Sequence, residues 1–241
     1  MLSFLWLVPL GLVVGAFGTL IGAGGGFILV PVLMLLYPNE TPETITSISL
    51  AVVFFNALSG SIAYARMKRI DYRTGVLFAA ATIPGAILGA LTTAQMPRRL
   101  FDLIFGVLMV AGAAYLVARP ERQRAPGGTG ERRGLVTREV VEADGTVHRF
   151  AYNPTTGVFL SLGVGYVSSV LGIGGGIIHV PALVQLLSFP THIATATSQF
   201  ILGVMAFAGA GVHVATGTFS HGVVQTGGDA VSGRQLAREG G

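Results

Sequence analysis

Charged side chains are missing from five stretches of the chain, residues 1–39, 44–65, 74–97, 103–118 and 150–228. All five are dense in Leu, Ile, Val, Phe, Ala and Gly. A helix that crosses a bilayer needs about 20 predominantly apolar residues, a length that most of these stretches reach. They predict one long segment from about Leu2 to Tyr37, then spans at about 46–65, 74–95 and 100–118, so that four passes fill the first half. Residues 154–241 repeat the same alternation of long apolar runs with short breaks.

Residues 119–153 break the pattern. They open with RPERQRAPGGTGERR and continue as LVTREVVEADGTVHRFAY, where two β-prone runs flank Asp144-Gly145. Asp-Gly between such runs is the strongest short-range hairpin signal, and a small β-hairpin on a flexible tether is expected. It reads either as a regulatory or docking element or as a solvated linker.

Composition narrows the class. The 241 residues are 51% hydrophobic and 11% charged, with 35 glycines and no cysteine, and the mean hydropathy is +0.70. Soluble domains carry about 25% charged residues and about 7% glycine, so a soluble enzyme is excluded as the first reading. The net charge of +4 does not point to nucleic acid, because the basic residues sit in short loops beside apolar runs. Arg66, Lys68, Arg69 and Arg73, with the stretch from Arg119 to Arg149, place 11 basic residues on one side, against Arg98 and Arg99 with Glu40 and Glu43 on the other. The positive-inside rule puts the basic side and the central region in the cytoplasm, which describes a multi-pass protein of the plasma (cell inner) membrane. Met1–Gly18 also resembles a secretory signal, but it lacks the basic n-region and its apolar character continues beyond any cleavage site. Without cysteine there is no disulfide framework and no thiolate metal site.

The second half repeats the first. GTLIGAGGGFILVPVLMLL (18–36) aligns with SVLGIGGGIIHVPALVQLL (169–187). Gly22, Gly24, Gly25, Gly26, Pro31 and Leu33 match Gly172, Gly174, Gly175, Gly176, Pro181 and Leu183 at a constant offset of 150. Thr44-Ile45-Thr46-Ser47 then matches Thr195-Ala196-Thr197-Ser198 after a slip of one residue. The organisation read from this is a first transmembrane repeat over 1–118, a cytoplasmic linker with its hairpin over 119–153 and a second repeat over 154–241. Its fold class is an all-α integral membrane protein of two repeated multi-helix halves with broken glycine-rich helices. Duplicated halves that meet near the midplane are a mark of secondary transporters. The halves are parallel if the glycine segment crosses once, and the parity changes if it folds back as a hairpin.

Each glycine costs about 1 kcal/mol relative to alanine inside a helix, so both long segments should open at Gly-x-Gly-Gly-Gly. Backbone groups freed in lipid must be met by protein or by a water-lined cavity, so the breaks should face inward. A helix resuming at Phe27 or Ile177 would aim its N–H groups and positive dipole end at the break, which suits an anion. The competing reading is close helix packing by small residues. A nucleotide loop is disfavoured, because the glycines do not fit Gly-x-Gly-x-x-Gly and no Gly-Lys-Ser/Thr follows.

GIGGGIIHVPAL followed by ATATSQFILG (194–203), with GAGGGFILVPVL (22–33), resembles the paired signatures of the sulfite exporter TauE/SafE family of membrane transporters. The resemblance runs over about residues 5–225. It implies a multi-span permease for small anions, typically sulfite or other sulfur-containing or organic anions, and commonly directed out of the cell.

Polar residues within apolar spans are costly and point to function. Thr46, Ser47, Thr197, Ser198 and Gln199 could supply hydroxyl and amide donors to an anion, with helix capping as the alternative for each pair. Asn56 is a ligand contact or an interhelical hydrogen bond. These residues, with Gly22, Gly24, Gly25, Gly26, Gly172, Gly174, Gly175 and Gly176, form the candidate substrate site. His179, where the first repeat has Leu29, is the candidate for proton coupling, with His213 a lesser one. No acidic residue lies deep in a span, since Asp102 pairs with Arg98 and Arg99 at a helix start. No catalytic set, metal or cofactor is expected, and the partners are a small anion, the bilayer and a second copy of the chain as a homo-oligomer. The tail from His221 carries Asp229 and Arg234 and is too polar for the spans that the repeat calls for, which suggests a shortened second half. The alternatives to a transporter are a membrane scaffold or sensor and an inactive, truncated carrier.

Overall fold

The structure is a computed structural model and describes residues 7–22, 24–118 and 135–215. The order is α1 (Leu7–Ile21), α2 (Gly26–Leu36), α3 (Pro42–Arg66), α4 (Tyr72–Thr93), α5 (Arg98–Ala118), β1 (Val136–Val141), β2 (Val147–Tyr152), α6 (Pro154–Leu171), α7 (Gly176–Leu187) and α8 (Thr191–Ala215). Among the described residues, four helices, α3, α4, α6 and α8, are long and apolar enough to cross a membrane. The first half differs from four simple passes in one respect: the stretch expected as one segment from Leu2 is two shorter helices, α1 and α2. The tether from Arg119 to Gly134 and the tail with His221, Asp229 and Arg234 lie outside the described residues.

Helix starts follow local chemistry. Thr41 caps α3 through its hydroxyl, which accepts the Thr44 N–H, and Pro42 occupies the first turn. Thr46 and Ser47 are thus not caps. Their hydroxyls donate back to carbonyls of their own turn, Thr46 to Pro42 O at 2.9 Å and Ser47 to Thr44 O at 2.8 Å. Asn153 caps α6 from the end of β2.

Contacts along the helices give their directions. Glu43 lies at 3.8 Å from His213, and the Cβ positions of Gly209, Gly203 and Gly60 meet Leu50, Ala57 and Gln199. Residue numbers rise on α3 as they fall on α8, so the two run antiparallel. Gly157, Gly165 and Gly89 meet Phe78, Thr82 and Tyr166, so α4 and α6 run side by side in one direction. All three of α4, α6 and α8 start at the end of the bundle that carries the β-hairpin. Arg98 marks the other end, where its guanidinium donates to Glu40 O and Met34 O.

The α4–α6 seam depends on small residues. Gly157, Gly165 and Ser169 of α6 face Phe78, Thr82 and the pair Ala86 and Gly89 of α4. A Cβ at Gly165 would stand 2.5 Å from Thr82 O, and one at Gly85 2.3 Å from Leu162 O. In lipid, where apolar side chains gain little by meeting each other, such close backbone approach is what holds helices together. The large side chains point outward instead: Phe55, Phe159 and Phe207 are 66, 69 and 65% exposed, as a lipid-facing surface requires.

The hairpin forms where Asp144-Gly145 predicts it, with Val136 paired to Tyr152 and Val141 to Val147. It is not a solvated linker. Val140, Phe150 and Tyr152 are buried with Phe78, Leu183, Leu187 and Phe189, and the Phe150 and Phe189 rings lie 4.3 Å apart. Charges bind its rim to the α3–α4 loop. Arg69 donates to Glu142 at 2.6 Å, and Arg138 grips Asp71 with two hydrogen bonds of 2.7 and 3.2 Å. Burial alone would raise the Asp71 carboxyl, but the Arg138 guanidinium and the Thr74 hydroxyl outweigh it and hold it below the ordinary carboxylate range.

Two tests follow from this packing. Gly165→Ala pushes a methyl against backbone and should destabilise by about 1–3 kcal/mol, whereas Gly163→Ala, which meets nothing within 4 Å, should melt like the native chain in detergent. Because the folded-state value of Asp71 is depressed, its contribution is present above the unfolded value of 3.8 and is lost as pH falls through the folded one. Asp71→Asn should therefore melt lower than the native chain at neutral pH, and the gap should shrink below about pH 4. A gap that does not depend on pH would refute the ion pair.

Candidate functional site

Both glycine motifs open their helices. Gly22, Gly24, Gly25, Gly172, Gly174 and Gly175 all have φ between 67° and 83°, a left-handed conformation that glycine adopts without strain. The following helices start at Gly26 and Gly176, one residue earlier than expected. Their N-caps, Gly25 and Gly175, offer no side-chain hydrogen bond. Each motif folds the chain back: α2 leaves its turn toward the Arg98 end, while α7 leaves its turn toward the β-hairpin, where Leu187 and Phe189 are buried.

The two turns meet inside the bundle. A Cβ on Gly26 would stand 2.7 Å from Gly172 O and 2.8 Å from Ile173 O. Gly24 and Gly174 press on the same pair of side chains, Val53 of α3 and Leu202 of α8. Gly22 faces Thr195, Gly172 faces Thr46, and Gly175 faces Ser168. The freed carbonyl of Gly172 accepts a 2.6 Å hydrogen bond from Ser49 Oγ, wholly buried on α3. Two clefts of about 340 and 320 Å³ lie around Leu88–Leu100 and around Glu40, Glu43 and Arg98, and neither reaches the glycine turns.

The other candidate residues fall into three places. Thr197 lies toward the hairpin end, where its hydroxyl accepts the Asp71 N–H at 3.1 Å. His179 is buried on α7 with its Nε2 at 3.1 Å from Ser161 Oγ and its ring 6.4 Å from that of Phe78. Asn56 and Gln199 share a third place, between α1, α3 and α8. Thr19 Oγ1 donates to Asn56 Oδ1 at 2.9 Å, and Tyr64 donates its hydroxyl hydrogen to Thr19 O. Gln199 is wholly buried, and neither atom of its amide has a hydrogen-bond partner. Asn56 Nδ2, Ser198 Oγ and Ser168 Oγ are likewise unpartnered. Buried polar groups are nearly always paired, so this grouping marks the place where a ligand or water is owed.

Thr19, Ser49 and Ser168 were missed from sequence. Thr19 and Ser169, though, stand 150 residues apart and three before the first glycine of each motif, a hydroxyl match that the repeat carried in plain view.

Residues 7–231 match the family Sulfite exporter TauE/SafE. The chain belongs to this family of membrane transporters. The Bacillus subtilis (strain 168) protein named "Probable membrane transporter protein YunE" is 33% identical over 226 residues, covering 90% of this chain and 80% of that protein. The Methanocaldococcus jannaschii protein named "Probable membrane transporter protein MJ0441" is 23% identical over 217 residues, 86% and 72% of the two chains. A Xylella fastidiosa (strain Temecula1) protein with the name "Probable membrane transporter protein" is 29% identical over 193 residues, 80% and 67% of the two. No solved structure matches. As a TauE/SafE protein, the chain is a membrane protein of a transporter family, with no enzymatic activity implied.

Within this family member, Ser49 and Thr46 differ in what they hold. Ser49→Ala leaves Gly172 O buried without its donor and should cost about 1–3 kcal/mol in a detergent melt. Thr46→Val removes only a bond within its own helix and should cost under about 1 kcal/mol. Equal losses would show that the Ser49 bond does not hold the second glycine turn.

Proposed function

We propose that this TauE/SafE protein is a secondary permease that carries small anions, such as sulfite or sulfur-containing organic anions, across the plasma membrane. The observation that carries the reading is the meeting of two uncapped glycine turns beside a set of buried, unpartnered amide and hydroxyl groups. The interior spans contain no Lys or Arg, so the cargo would be held by N–H groups and hydroxyls, which suits weak and reversible binding.

The arrangement also supports an inverted repeat over 1–118 and 154–241. α3 and α8, which the sequence match pairs, run antiparallel, and the α1–α2 and α6–α7 turns open toward opposite ends. Such pseudo-two-fold halves place a site at their interface and let one half rock against the other. The positive-inside rule assigns the β-hairpin end, with Arg66, Lys68 and Arg69, to the cytoplasm. Asn56, Gln199, Ser198 and Thr197 are the proposed cargo contacts, with the glycine turns behind them. His179, the candidate for proton coupling, is engaged by Ser161 Oγ and lies apart from these contacts.

Proteoliposomes with the purified chain, loaded with labelled sulfite, sulfoacetate and simple carboxylates, should release at least one of these anions above protein-free vesicles. Gly175→Leu, which forces a branched side chain onto a left-handed position, should abolish that flux. If the folded chain neither moves nor binds any anion, the carrier reading fails and a scaffold or sensor role takes its place.

A further inference from the structure

The polar place between α1, α3 and α8 has a composition that narrows its cargo, given the anion-carrier reading on which this inference rests. Gln199 leaves both a donor, Nε2, and an acceptor, Oε1, unmet, and it is 0% exposed. The assignment of the two atoms is immaterial, since both are orphaned. Asn56 Oδ1 is taken by Thr19 at 2.9 Å, which leaves Nδ2 as a second free donor. Gly60, one turn beyond Asn56 on α3, lets Gln199 and Thr19 pack directly against the α3 backbone. A Cβ there would stand 2.8 Å from Gln199 Nε2 and 3.0 Å from Thr19 Cγ2.

This place contains no fixed charge. The stretches that build it, residues 1–39, 44–65 and 150–228, have no Asp, Glu, Lys or Arg. A dianion would lose its hydration here with no cation in return, and the desolvation cost grows with the square of the charge. A fully deprotonated oxyanion offers only acceptors, so it would satisfy the two amide donors but turn negative charge toward Gln199 Oε1. A singly charged oxyacid that keeps one O–H meets all three groups: its oxygens accept from Asn56 Nδ2 and Gln199 Nε2, and its hydroxyl donates to Gln199 Oε1.

We infer that the Asn56–Gln199 pair selects the hydrogen-bearing monoanion of an oxyacid, hydrogen sulfite among them, so that the proton crosses on the cargo. The balance is simple: one monoanion and the proton it carries move together, and no bond is made or broken. No protein group need titrate. The titratable groups around Gln199 are already engaged: Tyr64 bonds Thr19 O, Asp71 beside Thr197 is paired with Arg138, His179 bonds Ser161, and His213 lies next to Glu43.

The test uses the full chain in proteoliposomes, with a trapped pH dye and protein-free vesicles as background. Three probes are compared across a pH series: sulfite, which gains a proton within the series; methanesulfonate, a monoanion without O–H; and sulfate, a dianion throughout. Sulfite flux should scale with the hydrogen sulfite concentration at every pH and should carry acid with it. Methanesulfonate should be slower by about tenfold, the ratio expected for one buried hydrogen bond of about 1.4 kcal/mol, and sulfate should be slower still. Gln199→Leu, which removes the Nε2 donor as well as the Oε1 acceptor, should lower both rates and bring the ratio of sulfite to methanesulfonate flux down toward one. If that variant does not fold, Gly60→Ala, whose methyl presses on the Gln199 amide, should lower both rates.

Flux that tracks total sulfite regardless of pH, or sulfate carried as fast as sulfite, would overturn the inference and leave the carrier reading standing. No flux for any of the three probes from folded protein would overturn both.

Discussion

In hydrocarbon there is no water to accept a hydrogen bond, so every backbone group released by a broken helix must find a partner in the protein. The rest of this fold depends on that constraint. The two glycine turns release such groups in the bundle interior, and the structure meets them by bringing the turns together. Ser49 serves Gly172 O directly. Val53 and Leu202 wedge against Gly24 and Gly174 from the two long helices. A side chain on any of these glycines would push the turns apart, so the motif is a packing device, the reading that sequence sets beside a binding one.

The same economy shapes the α4–α6 seam. Its helices touch through Gly85, Gly89 and Gly165, where backbone meets backbone, and through Gly157 against the Phe78 ring, while Phe55, Phe159 and Phe207 turn to the outside. A soluble bundle would do the reverse, because water drives large apolar residues inward. The chain's glycine excess and its charge deficit thus have separate physical origins: close approach for the first, and the cost of burying ions for the second.

Spans, turns and hairpin were legible because each rests on a local rule. Gaps between charges located α3, α4 and α5 within a few residues, and Asp144-Gly145 located the β-turn. Helix direction was not legible. Whether Gly22–Gly26 lets the chain cross or fold back is decided by partners more than 140 residues away, such as Gly172 against Gly26, and no local pattern carries that. The docking of the hairpin was hidden for the same reason: Arg138 meets Asp71, and Phe150 meets Phe189, only once the bundle has formed. Thr46 and Ser47 misled in the opposite sense. Their hydroxyl chemistry is real, but it is spent within their own helix turn.

The two glycine-motif segments match in sequence, yet the polar residues within and after them match only in part. Gln199 occupies the position that Ile48 holds in the first half, and His179 the position of Leu29. Ile48 is partly exposed on the outside of α3, whereas Gln199 is sealed against Gly60 with its amide unmet. Of these two matched positions, only the one on α8 carries a buried amide whose donor and acceptor are both unmet; its counterpart on α3 is an aliphatic side chain at the surface, so the polar interior is built from one of the two motif segments rather than from both.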